Sequence, residues 1–528
     1  MEKEAVFLKI WRLAALVLAV VFLCGCMSGA GDPVIPYSEM EYQRPDLRDV
    51  ETALDAACQA ASGEDVDAIL EAVYAFYDEY DWFYTNYSLA DIGYSGDLTD
   101  IYWGEEYSYC TENSTAVAAA LDELYYALAK SPVREELEEE YFGDGFFEGY
   151  EGESYWNEEF TQLMEKEAAL QNEYYALSEQ ALEYGDDYEG YYDACADEMA
   201  QLLVDLIQVR QEIADLWDYD SYARFAGDFY YYRDYTLEET ERYLGEIQRE
   251  LVPLYRETAD SEAWALAYEA CSEKQTLQYV KNCAKKMGGT VWEAFQLMDE
   301  GGLYDIAYGE NKYNSSFEVY LTYYWEPFVF MNPTLTVYDR LTLSHEFGHF
   351  CHDYICYGSY AGLDVTEFFS QGMEYLSLCY GEDTENLARV KMADSLSVYV
   401  EQAAFASFEQ RMYALEEPTV EGLYELYEEV ALDFGLDAWG YDPREFIDIT
   451  HFYTNPMYVI SYVISNDAAM QLYQLEQEES GAGLGLYEEN LASQESYFLT
   501  FLEDAGLESP FAEGRIDEVR QTFEEVLQ

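Results

Sequence analysis

Four histidines occur in the 528-residue chain, and three of them fall within His345-Glu-Phe-Gly-His349-Phe-Cys-His352. The fourth is His451. The first five residues of that stretch read HExxH, with apolar residues around them that suit a helix. On a helix, His345 and His349 lie one turn apart on one face, so both imidazoles reach a single Zn²⁺ about 2 Å away. Glu346 then stands beside the open coordination position, where a carboxylate can take a proton from water. The pattern predicts metal-assisted hydrolysis of peptide bonds.

HExxH supplies two ligands, and a third must come from elsewhere. His352 lies too far along the same helix to complete a tetrahedral site with both, and a supporting place beneath the site is expected for it. A carboxylate on a following helix is the better candidate. Asp364-Val-Thr-Glu-Phe-Phe-Ser-Gln-Gly-Met-Glu374 sets Asp364, Glu367, Gln371 and Glu374 along one side. Glu367 and Glu374 are two turns apart, so one can bind the metal while the other accepts a ligand histidine's second N–H. Spacing alone leaves open which does which. Hydrolysis also creates a tetrahedral oxyanion that needs donors besides the metal. His451 is followed by Tyr453, Tyr458 and Tyr462, and the last two are spaced to share a helix face.

The elements that must position these residues are mostly helical. Met199 to Leu216 is strongly amphipathic, and Thr236-Leu-Glu-Glu239 is a capping box that opens another helix. Phe317 to Phe330 is β-branched and aromatic without helical spacing, and predicts short strands ahead of the motif helix. Such a strand edge can pair with an extended peptide. The chain start has Lys3, Lys9 and Arg12 around an apolar run to Leu23. That run is too short for a secure membrane span, and Leu23-Cys-Gly-Cys26 follows it, resembling a bacterial lipobox. The organisation read from this is a lipoprotein signal peptide over 1–25 and a tether over 26–43. An N-terminal helical region over 44–204 and a catalytic region over 205–528 follow. The bulk is expected outside the cytoplasmic membrane, anchored through lipidated Cys26.

The chain is half apolar and 17% aromatic, ample for a core, and carries a net charge of −82. That charge argues against nucleic acid, whose phosphates need cationic partners, and against adhesion to anionic lipid. It suggests steering of cationic peptides. The ten cysteines form no CxxC and no repeated spacing, so neither a zinc ribbon nor a disulfide scaffold is indicated, and Cys351 reads as packing.

The motif segment and the Asp364–Glu374 segment together resemble the thimet oligopeptidase and oligoendopeptidase F family of zinc peptidases, nearer the oligoendopeptidase F branch. The likeness extends to Arg210-Gln-Glu-Ile-Ala-Asp-Leu-Trp and Leu303-Tyr-Asp-Ile upstream, and to His451-Phe-Tyr-Thr-Asn-Pro-Met-Tyr-Val-Ile-Ser-Tyr462, Ala505-Gly506 and Ser509-Pro510 downstream. It covers roughly residues 205–515 and is weak before them. The resemblance implies one zinc ion held by His345, His349 and Glu367, with Glu374 behind a ligand and Glu346 as the base. It maps the oxyanion donors to His451, Tyr458 and Tyr462. It also implies a mainly α-helical, two-lobed, zincin-type fold, with a small β-sheet beside the HExxH helix and a deep channel admitting short unfolded peptides. Asn314-Ser-Ser-Phe317 departs from the family's usual glycine-containing turn, which bears on specificity. A monomeric endopeptidase is expected. The alternatives are an exopeptidase that releases dipeptides in the manner of dipeptidyl carboxypeptidases, or a zinc-containing peptide-binding lipoprotein without turnover.

Overall fold

Three long helices open the fold, and an aspartate starts each of them. In α1 (Leu47–Ala61), α2 (Val66–Gly96) and α3 (Ile101–Leu128), Asp46, Asp65 and Asp100 accept backbone N–H groups that the first turn leaves unpaired. Val73, Phe76, Phe83, Leu124 and Phe147 are buried among these helices and the turns after them, in a core of their own. The computed structural model describes residues 34–527 apart from 144, 151, 153–157, 179, 181–183, 186, 259–261, 359–360 and 383. The leader, Cys26 and the first part of the tether lie outside the described residues. No helix among the described residues is long and apolar enough to cross a membrane.

A second, larger core takes in Met40 and the end of α2, then α4 (Glu158–Ser178) and α5 (Tyr188–Leu216), and runs to the C-terminal helix. Helix α2 therefore enters both cores, with Val73, Phe76 and Phe83 in the first and Leu89 and Ile92 in the second. Helix α5 is continuous through residue 205, where the sequence reading begins its catalytic region, and its buried face from Tyr191 to Ala214 belongs to the larger core. The capping box at Thr236 is present, with Thr236 and Glu239 each satisfying the other's backbone N–H.

The sheet has three strands, β1 (Tyr304–Asp305), β2 (Ser316–Leu321) and β3 (Glu326–Met331), in the order β1-β3-β2. Strand β3 is central and buried along its length, parallel to β1 and antiparallel to β2, with Ser316 opposite Met331 and Leu321 opposite Glu326. Strand β2 is an edge. The α2 helix is joined to this region by Tyr323 N–H to Thr85 Oγ1 at 2.8 Å and Tyr313 N–H to Ser95 O at 2.8 Å. Thr322 Oγ1 to Asp81 O at 3.2 Å and Leu98 N–H to Asn311 O at 2.8 Å complete the seam.

Behind the sheet lies α6 (Asp339–Cys356), which carries HExxH, and it packs on α7 (Leu363–Tyr380). Gly348 permits the close crossing. A Cβ there would sit 2.6 Å from Phe369 O and from Ser370 Cα. Other elements that supply residues to the site and its surroundings are α8 (Thr384–Ser397), α9 (Ala403–Met412), the one-turn α10 (Thr450–Thr454) and α11 (Ile460–Glu478), the last packed on α7.

Candidate metal centre

Helix α6 puts the rings of His345 and His349 5.0 Å apart, one turn along the same face. Helix α7 brings Glu367 up to them. One ligand atom from each of His345, His349 and Glu367 lies within 4.8 Å of the other two. His345 Nδ1 is 2.9 Å from Glu374 Oε1, so this nitrogen donates to the carboxylate and leaves Nε2 for the centre. Nε2 lies 3.6 Å from Glu367 Oε2. Two imidazole nitrogens and one carboxylate oxygen converging from two helices form a donor set that fits zinc. Asp364 and Gln371 turn elsewhere. Asp364 accepts the Tyr235 hydroxyl at 2.9 Å, and Gln371 Nε2 reaches Tyr462 O at 3.4 Å.

The electrostatics fit a cation site. Burial disfavours the His345 imidazolium, but the Glu374 hydrogen bond and the carboxylates of Glu367, Glu374 and Glu346 outweigh it and raise its pKa to about 9. His349 is held well below the ordinary histidine range by burial and by the neighbouring His345 and His352, so it stays neutral. Burial pushes Glu346 upward, opposed by His345 and by a hydrogen bond from Ser316. That bond runs from Ser316 Oγ to Glu346 Oε1 at 2.7 Å. Glu374 is lowered overall, because Lys391 and His345 overcome its burial.

Lys391 was not singled out from sequence. Its Nζ is 2.8 Å from Glu374 Oε2 and 3.6 Å from Asp394 Oδ2, and Tyr338 donates to the other Asp394 oxygen at 2.8 Å. A chain of contacts thus runs from His345 through Glu374 and Lys391 to Asp394 and Tyr338. The sequence offered little signal for it, since Lys391 is one of 26 lysines and arginines and shares its helix face with Asp394 and Ser395 one turn on. Ser316 carried a weaker signal, since it lies in the Asn314–Phe317 segment that departs from the family turn.

His352 is buried away from the three converging residues. Its ring stacks on Phe369 at 4.7 Å, and its Nε2 lies 2.9 Å from Ser493 O and 3.4 Å from Cys356 Sγ. Cys351 is buried, and all eight cysteines among the described residues are free thiols.

The remaining candidates meet across from α6. His451 Nε2 lies 3.4 Å from the Tyr462 hydroxyl, and Tyr458 donates to Glu367 Oε1 at 3.1 Å. The Tyr458 and Tyr462 rings are 5.1 Å apart, although Tyr458 lies just before the first residue of α11. The turn at Asn455-Pro456-Met457, with Met457 at φ +67°, directly precedes Tyr458. Burial, followed by the charge of Glu367, pushes both phenols above the usual tyrosine range, so both keep their protons. Burial lowers the pKa of His451 and leaves its ring neutral.

Residues 37–156 match the peptidase M3 N-terminal domain, and residues 271–520 match peptidase family M3. An oligoendopeptidase F homolog from Borreliella burgdorferi strain B31 is 28% identical over 211 residues. That match spans 36% of this chain and only 34% of the relative's length. Two solved structures assigned to oligoendopeptidase F share the fold at 20% identity, each covering 93% of this chain and 98% of its own. Their TM-scores are 0.79 and, for the protein from Bacillus anthracis strain Ames, 0.76. On these matches the chain belongs to peptidase family M3, on its oligoendopeptidase F side.

Proposed function

We propose that this chain is a zinc-dependent endopeptidase acting on short, unfolded oligopeptides outside the cytoplasmic membrane, tethered through Cys26. The observation that carries the reading is the convergence of His345, His349 and Glu367 beside Glu346, with His345 oriented from behind by Glu374. A zinc ion held by those three residues supplies a Lewis acid for the peptide carbonyl.

The residues of the chain account for the rest. The free edge of β2 can pair with an extended peptide. Glu346, steadied by Ser316, takes a proton from the attacking water and passes it to the leaving amine. The Tyr462 hydroxyl, partnered by His451, donates to the oxyanion that forms on the carbonyl. Tyr458 holds Glu367 in place and stands next to Tyr462.

Incubation of the full-length chain in detergent with a mixed pool of short peptides and a folded protein tests the reading, with products identified by mass spectrometry. Internal cleavage of the short peptides is expected, abolished by zinc chelation and by Glu346→Gln. Release of terminal dipeptides alone would select the exopeptidase. Cleavage indifferent to Glu346→Gln would sink the mechanism.

A further inference from the structure

Five backbone groups between Phe452 and Met457 are held by side chains from outside that segment. Arg210 of α5 donates to Phe452 O at 2.7 Å and to Tyr453 O, and the Tyr231 hydroxyl donates to Pro456 O at 2.8 Å. Met457 is held at both of its backbone polar groups. Its N–H donates to Glu409 Oε1 at 2.7 Å, and its C=O accepts from Arg233 Nη2 at 2.6 Å. Glu409, on α9, is wholly buried. Arg233 also reaches Ser461 Oγ at 3.0 Å, on the far side of Tyr458.

Met457 lies at φ +67°, in the left-handed region that a side chain disfavours, and such a conformation persists only where its surroundings impose it. The next residue is Tyr458, whose hydroxyl meets Glu367. We propose that Glu409 and Arg233 are positioning residues, which deepens and rests on the peptidase reading above: by pinning both polar groups of Met457 they hold its left-handed turn, and the turn aims Tyr458 at Glu367. Burial pushes the Glu409 carboxyl up to about 8, against the pull of the Met457 N–H and of Arg233 and Arg210. At neutral pH it is therefore mostly the neutral acid, whose carbonyl oxygen accepts the bond. Glutamine is its close mimic.

The test compares Glu409→Leu, Glu409→Gln, Tyr458→Phe and the Glu409→Leu/Tyr458→Phe double variant in the full chain. In metal-free protein, hydrogen exchange at the Met457 and Tyr458 amides should quicken about tenfold or more in Glu409→Leu and stay unchanged in Glu409→Gln. With peptide substrate, Glu409→Leu should lower kcat about tenfold with KM within about threefold, and Glu409→Gln should restore it. Because Glu409 acts through Tyr458, the double variant should be no slower than Tyr458→Phe alone. Losses that multiply, unchanged exchange in Glu409→Leu, or a glutamine variant as impaired as leucine would each overturn the proposal. If Glu409→Leu does not fold, Arg233→Lys takes its place, with faster exchange at the same two amides expected and unchanged exchange overturning it. A wild-type chain that cleaves no peptide defeats the peptidase reading and leaves the exchange comparison to decide the clamp.

Discussion

Lys391 Nζ lies 2.8 Å from Glu374 Oε2, while the other oxygen of the same carboxylate accepts the Nδ1 proton of His345. A buried lysine on α8 is thereby two contacts away from a ligand atom on α6. The lysine favours an ionised Glu374, and an ionised Glu374 fixes the histidine tautomer that would offer Nε2 to the proposed zinc.

Replacing Lys391 with methionine should therefore weaken zinc binding about 10- to 100-fold, measured by competition with a chelator. It also strands a buried carboxylate, at a cost of about 3–5 kcal/mol. Adding Glu374→Gln to Lys391→Met removes the stranded charge and should recover most of that stability without recovering the zinc affinity. Unaltered zinc affinity in Lys391→Met would mean that Glu374 is held sufficiently by His345 alone.

Glu346→Gln should reduce kcat by about 10²- to 10⁴-fold while zinc stays bound, since glutamine cannot carry the proton. Ser316→Ala should have a smaller effect confined to kcat. It removes one hydrogen bond to a charged group, worth about 1.5–3 kcal/mol at most, and touches no ligand. Steady-state kinetics on both variants check this, and a Ser316→Ala change seen only in KM would assign Ser316 to substrate contact.

Gly348→Ala should act on stability and on zinc together. The new methyl group would meet Phe369 O and Ser370 Cα at 2.6 Å, and backbone cannot give way as a side-chain tip can. Helices α6 and α7 must separate, at a cost of about 1–3 kcal/mol. Because His345 and His349 ride on one helix and Glu367 on the other, the same separation should lower zinc affinity. A lower Tm with unchanged affinity would localise the strain away from the ligands.

Stability should fall as pH rises from about 4.5 to 8. Burial pushes Glu409 up to about 8 and Glu326 up to about 7, so the folded chain holds protons that the unfolded chain has released above the ordinary glutamate range. Wherever the native state binds more protons, stability declines with pH, and the decline ends once the folded pKa is passed. Thermal unfolding at high salt, which screens the surface repulsion of a −82 chain, should show the trend. Glu409→Gln should flatten it, and an identical slope in that variant would exclude Glu409 as a source.

What could be read in advance followed the range of the interactions. The HExxH pair was legible because a helix converts spacing into geometry within one turn. Glu367 and Glu374 were legible as a pair on one face, but assigning them needed the family resemblance, since the chain carries 108 acidic residues and spacing does not rank them. Tyr458 illustrates a local expectation overridden by a turn. Tyr458 lies just ahead of the helix that carries Tyr462, after a left-handed Met457, yet its phenol stands beside that of Tyr462 and against Glu367. Lys391, Ser316, Arg210 and Glu409 act across distances in sequence that no periodicity spans. The largely helical fold and the short strands before the motif were visible in the composition and patterning of their own segments.

The hydrogen bonds that Tyr323 N–H donates to Thr85 and Tyr313 N–H donates to Ser95 have a mechanical consequence. The strand between those two points, β2, is thus fastened to α2 at both ends and carries Ser316, which touches Glu346. A displacement of α2 is therefore passed to the strand, and through Ser316 to the Glu346 carboxylate. Movement of the helix and placement of that carboxylate are then one motion, with α2 as the lever arm and Ser316 as its tip.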